Sequence, residues 1–222
     1  MNITRREFLK LSGAFGSWAM AGMPELNIVN PYRGRVWSQV NDAWGNLDLP
    51  GKKPIWLNLE NKARVAGCSA AAVTYAVNLM ADPGEIYKLT GNLGVTPEDV
   101  IFKIFPKLPN YPLLLSAKGG NAFTVVDTLK YFGLSVDTPS LSKYSMNLIK
   151  PDELAVIGIS IGTTSTHYTV YSRTDDTGAT YVYDSFFGGG GREVRLDSYL
   201  PEWDIISVIR ISNHLNDRAK NN

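Results

Sequence analysis

The chain has 222 residues, with 22 basic and 21 acidic side chains. That length suits one domain, at most with a small subdomain, and the near-neutral balance excludes the basic footprint of a nucleic-acid binder. One cysteine and two histidines exclude an intramolecular disulfide and give no zinc-ligand spacing.

The chain opens MNITRREFLKLSGAFGSWAMAGMPEL. Its residues 4–10 resemble the twin-arginine export signal, a serine or threonine followed by R-R-x-F-L-K. A weakly apolar run over 11–21 follows. It is shorter than the roughly 20 apolar residues of a membrane span, and it ends in Ala19-Met20-Ala21, the small-x-small pattern of a cleavage site. The resemblance implies a signal peptide over 1–21, the twin-arginine translocation machinery as a partner, and an exported chain in the cell envelope, periplasm or outside the cell. Without those residues the formal charge drops from +1 to about −1. No later apolar run is long enough to span a bilayer, so no stable membrane span is expected in the mature chain.

Residues 22–54 are rich in Pro, Gly, Asn and Trp. Turn signals at Asn30-Pro31, Leu49-Pro50-Gly51 and Lys53-Pro54 predict an extended arm, leading to a short strand over 55–59. Trp37, Trp44, Trp56 and Trp203 are expected to pack in the core or the arm. The run CSAAAVTYAVNLMA predicts a helix over 68–81, buried on most sides and stopped by Asp82-Pro83-Gly84. Thr96-Pro97-Glu98-Asp99 has a capping residue, a proline at the first helical position and acids in the first turn. It predicts a helix leading into 100–105. Apolar residues at 122, 123, 125, 126, 129 and 132 keep close to a 3.6-residue period, and Gly133 fits a C-terminal cap.

After Lys150 the pattern changes. ELAVIGISIG, HYTVYSR, TYVYDSF and DIISVIRIS are short β-branched and aromatic runs, and Asp175-Asp176-Thr177-Gly178 predicts a hairpin turn. Helices first and strands later argue for an α+β fold with an antiparallel sheet. The run Gly188 to Gly191 lacks the Gly-Lys-Ser/Thr of a phosphate loop. It predicts a loop beside the site, with Ser185 and Gly188 on a substrate rim. A polar tail over 213–222 closes the chain.

The single thiol is either an inert core residue or a reactive atom. The predicted helix places Cys68 in its first turn, where the dipole and amide N–H groups favour an anion. Of the two histidines, His214 lies in the polar tail. His167 opens a predicted strand, and Asp184 lies on the next. The 175–178 turn would bring 167 and 184 to the same open end of one ladder. A carboxylate beside an imidazole fixes its tautomer and stabilises its cation, so Cys68, His167 and Asp184 can form a nucleophile, base and orienting acid.

This order of Cys, His and Asp resembles the papain-like cysteine peptidase fold, and most of all the C39-like peptidases of bacteria. GCSAAAVTYAVNLM resembles their cysteine helix, typically C-G-P-A/T-A-x-A-M-V-L. GVTPEDV, KGGNAFTVVDTLKYFGLSV and ISIGTTSTHYTVYSRTDDTGATYVYDSFFGGG resemble the segments that follow. Together they cover about residues 55–210. The resemblance implies a domain over 55–212, a helical part packed on a C-terminal antiparallel sheet. It implies no metal or organic cofactor, and a substrate amide in a peptide, a protein or the cell wall, hydrolysed through a thioester acyl-enzyme. Cys68 would be the nucleophile, His167 the base and Asp184 its orienting acid.

Two departures stand out. Ser69-Ala70 replace the usual Gly-Pro, and Lys62 stands where a glutamine usually binds the oxyanion, six residues before the cysteine. Loss of such a donor costs about 10²–10³ in turnover. Asn61 is the first replacement, because an amide imitates an amide, and Lys62 the second. The departures also leave open a catalytically degenerate binding module for peptide or cell-wall material. A transglutaminase-like acyl transferase ranks lower, since its Cys–His separation is usually shorter.

Overall fold

The structure is a computed structural model and describes residues 29–48, 67–108, 122–137, 149, 153–161, 165–186, 191–198 and 203–212. The signal over 1–21, the strand over 55–59, the tail, Asn61, Lys62, Trp56, Gly188 and His214 lie outside the described residues.

Helix α1 runs Cys68–Met80 and is buried from Cys68 to Asn78. Its four alanines, at 70, 71, 72 and 76, let neighbours approach closely, and it packs on the strands Leu154–Ile161 and Ser165–Thr174 and on the helix Ala122–Tyr131. The stop signal after it also starts a helix that the sequence pattern did not suggest. Asp82 caps α2 (Pro83–Thr90) by accepting from Gly84 and Glu85 N–H at 2.8 and 3.1 Å. Gly91 ends α2 with φ of 74°, a left-handed value suited to glycine. The predicted start at Thr96 is present. Thr96 and Asp99 form a reciprocal capping box on α3 (Pro97–Asp99), which continues as a wider π-turn over Val100–Ile104.

Helix α4 spans Ala122–Tyr131 and buries Val125, Val126 and Leu129. Phe123 departs from the expected stripe: it stands 66% exposed. Gly133 ends the helix with φ of 76°, while Leu134 N–H reaches back to Leu129 C=O at 3.2 Å.

The fold is α+β, with one six-stranded antiparallel sheet in the order β1-β6-β2-β3-β4-β5. The strands are β1 (Ser135–Val136), β2 (Leu154–Ile161), β3 (Ser165–Thr174), β4 (Thr180–Asp184), β5 (Arg192–Arg195) and β6 (Trp203–Ser212). Four match the apolar runs; β1 and β5 do not, being two residues and the polar Arg-Glu-Val-Arg. Strand alternation divides the core. Val156, Tyr168, Val170, Ile209 and Ile211 join the helices, while Ile157, Ile159, Val182 and Leu196 form a smaller cluster. Trp37 and Trp44 of the arm are buried in the larger cluster, which ties residues 29–48 to the core.

Candidate active site

Cys68 is the first residue of α1, and Gly67 before it has no side chain to cap that end. It is 5% exposed. Strand β3 brings Thr166 and His167 against it. The thiol Sγ lies 4.0 Å from Thr166 C=O, and Cys68 is close enough to the His167 ring to act on its charge. The other side of that ring meets β4: His167 Nε2 is 2.9 Å from Asp184 Oδ2. With Nε2 on the acid, Nδ1 is the nitrogen left for the thiol. The sheet and the start of α1 therefore bring the three predicted residues, Cys68, His167 and Asp184, together.

Asp184 is fully buried. Its Oδ1 accepts from Phe186 N–H at 2.6 Å, and its backbone C=O accepts from Gly191 N–H at 2.6 Å. The carboxylate is thus fixed from two directions before it reaches the imidazole. The Phe186 ring sits edge-on to His167, with centroids 6.5 Å apart.

Burial is the largest single influence on His167, and it disfavours the cation. The hydrogen bonds to Asp184 and Cys68, with the charges on both, outweigh it and push the pKa from 6.5 up to about 10. The neighbouring Tyr168 phenol moves up from its usual 10.0, first by burial and then by the Cys68 charge. The site favours a protonated imidazole beside the sulfur of Cys68.

A further buried residue meets the segment that follows Asp184, and the sequence reading missed it. Gln39 is 1% exposed. A tight turn presents it: Ser38 N–H donates to Asp42 Oδ2 at 2.9 Å, and Ser38 Oγ accepts from Asn41 N–H at 2.9 Å. Gln39 N–H donates to Ser185 C=O at 2.7 Å, and Ser185 Oγ donates to Gln39 Oε1 at 2.5 Å. Ser185 is itself 6% exposed and hydrogen-bonds the arm. One signal was available: Gln39 is the only glutamine in the chain. The expectation of a donor six residues before the cysteine directed attention to Asn61 and Lys62 instead.

Among the described residues no group of three or more His, Cys, Asp or Glu side chains could hold a metal ion, and no helix is long and apolar enough to cross a membrane. No protein-family model matches the chain, and no curated protein matches it.

Proposed function

We propose that the chain is an exported C39-like cysteine peptidase or amidase with a papain-like fold. One observation carries the reading: a buried Cys68–His167–Asp184 line with the thiol at a helix N-terminus. In this mechanism His167 holds the proton of Cys68, and sulfur attacks an amide carbonyl. The Cys68 N–H steadies the oxyanion together with a second donor, Asn61 in the first place or Lys62 in the second. His167 passes its proton to the leaving amine. Water, deprotonated by His167, then attacks the thioester and releases the acid. The substrate class is an amide of a peptide, a protein or the cell wall, and twin-arginine export would deliver the folded enzyme to it.

The test is the rate of Cys68 alkylation by iodoacetamide across pH, in the wild-type chain and in His167→Gln. Glutamine keeps an N–H for Asp184 but cannot take the proton. Labelling that is fast at pH 6 and at least about tenfold slower in the variant supports the reading. Slow labelling that rises only in alkali, with no effect of His167, would remove the enzyme and leave a binding module.

A further inference from the structure

We propose that the hollow between the arm and the end of α2 is a second ligand site, one for a neutral saccharide. It holds about 360 Å³, within the range of about 300–1,000 Å³ typical of small-ligand sites. Tyr32 comes from the arm, Tyr87 from α2, and Asn92, Leu93 and Gly94 from the loop that follows α2. This place is far from the proposed catalysis. Gly94 packs on Asn30, which is bonded to Asn78, and Asn78 lies about 15 Å along α1 from Cys68 at the helical rise per residue. The proposal goes beyond the hydrolase reading and does not depend on it.

The wall is built before any ligand arrives. Tyr32 N–H donates to Asn30 Oδ1 at 2.8 Å, and the Tyr32 ring meets Trp37 edge-on with centroids 5.5 Å apart. Tyr32 also lies close over Gly94: a Cβ there would stand 2.8 Å from Tyr32 Cδ2. The Asn92 N–H donates to Thr90 Oγ1, and the Asn92 C=O accepts from the same hydroxyl, both at 3.1 Å. Its backbone is thereby held, while its side-chain amide has no partner among the described residues.

Charge and polarity narrow the ligand. Asp99 supplies the carboxylate in this lining, and both its oxygens are engaged: Lys103 Nζ donates to Oδ1 at 2.5 Å, and Thr96 Oγ1 donates to Oδ2 at 3.0 Å. An ionic ligand would therefore meet no free counter-charge in the lining. A purely apolar ligand would strip water from the Asn92 amide and the Tyr32 phenol and pair neither, at a cost for each. A neutral sugar meets both demands. Its C–H face lies on a tyrosine ring, and its hydroxyls pair with the amide and the phenol.

Calorimetric titration of the full chain with chitotriose and with maltotriose tests this, with amide NMR shifts to locate the binding. Chitotriose stands for cell-wall glycans and maltotriose for free glucans, so the preferred sugar names the source. Saturable binding is expected, with the Gly91, Asn92 and Gly94 amides shifting and the Cys68 amide still. Asn92→Ala weakens it about two- to tenfold, as the loss of one hydrogen bond allows. Asn92→Gln, which keeps an amide, retains most of the affinity, and Asn92→Trp, whose ring fills the hollow, loses at least about tenfold.

No binding of either sugar at millimolar concentration overturns the proposal, as do shifts confined to the surroundings of Cys68. Tighter binding of N-acetyl-leucyl-leucinamide than of either sugar, lost in Asn92→Trp, overturns it in favour of an apolar peptide. A concentration-dependent dimer abolished by Asn92→Trp overturns it in favour of a second copy. If Asn92→Trp does not fold, Asn92→Ala and Asn92→Gln pose the question of the amide alone. A chain that binds sugar but labels at Cys68 only in alkali keeps this site and loses the hydrolase, and the reverse result keeps the hydrolase and loses this site.

Discussion

Both ends of α1 are buried and polar, but different chemical groups make them so. Near the C-terminal end, Asn78 Oδ1 accepts from Val95 N–H at 2.8 Å and from Asn30 Nδ2 at 3.0 Å. Its Nδ2 donates to Val95 C=O at 2.8 Å, and its own C=O accepts from Asn30 Nδ2 at 3.1 Å. Gly94 is pressed so close that a Cβ there would stand 2.3 Å from Asn30 Oδ1. Every group in this knot is an amide, and none titrates. At the N-terminal end a thiol, an imidazole and a carboxylate take the same kind of buried place. Amides satisfy burial at any pH and hold the helix to the arm. Titratable groups satisfy it only while their protons are correctly placed, which is also what lets them react.

Complementary variants can break that contrast. The largest effect expected is at the N-terminal end: Cys68→Ala abolishes turnover of an amide substrate and p-nitrophenyl acetate acylation, while the melting temperature shifts little. Asp184→Asn leaves the ring contact but loses the charge that stabilises the imidazolium, and acylation falls by about 10²–10⁴. Substantial acylation by Cys68→Ala would place the reactive group elsewhere.

At the other end the outcome reverses. Asn78→Ala takes the side-chain partner from both the Val95 N–H and the Val95 C=O, at about 1–3 kcal/mol for each unsatisfied group, while Asn30 Nδ2 keeps its bond to the backbone C=O of residue 78. A loss of about 2–4 kcal/mol is expected in denaturant unfolding. Molecules that remain folded should alkylate at the wild-type rate. If Asn78→Ala slows labelling as much as it lowers stability, the two ends are not separable.

The pH dependence of stability gives the next contrast. His167 has a folded pKa above its unfolded 6.5, so proton binding favours the fold. Its contribution is complete below about 6.5 and is lost as pH rises towards 10. The buried phenols of Tyr75 and Tyr168 are raised above 10.0 and act only in stronger alkali. Thermal melts from pH 6 to 10 should therefore show a decline that is shallower in His167→Gln. Asn78→Ala should shift the whole curve down without changing its slope in that window. A wild-type slope no steeper than that of His167→Gln would remove the protonated imidazole.

Much of this molecule was legible from local grammar. The Thr96–Asp99 cap and the apolar, alanine-rich run of α1 depend on residues close together in the chain. The meeting of His167 and Asp184 needed one hairpin, and its turn residues announced it. What was not legible depended on distance. The Asn30–Asn78 and Gln39–Ser185 bonds join residues 48 and 146 apart, and no local preference encodes them. Strand β5 carries no alternating apolar pattern; its place comes from pairing with β4, Tyr181 opposite Arg195 and Asp184 opposite Arg192. Helix α2 was hidden because Asp82-Pro83-Gly84 ends one helix and caps the next, and the same three residues serve either purpose. Phe123 fits the helical period, yet the fold leaves it at the surface.

The hairpin that joins the base to its acid supplies the smallest expected effect, from a polar cluster in water instead of the core. Asp175 Oδ1 accepts from Thr177 N–H at 2.9 Å, Thr177 Oγ1 at 2.6 Å and Ala179 N–H at 3.0 Å. The Thr177 hydroxyl does most to hold this carboxyl at about 2, with the Ala179 and Thr177 amides adding to it. A lowered folded pKa works in the opposite sense to that of His167. Its stabilisation is present above about 3.8 and is lost as pH falls through about 2. Asp175→Ala should lower the melting temperature slightly at pH 6, with the difference closing below pH 2. Because solvent reaches this turn, salt should weaken the effect, whereas the Asn78 knot should be indifferent to salt. Equal sensitivity at both places would mean that burial is not what separates the polar clusters of this chain.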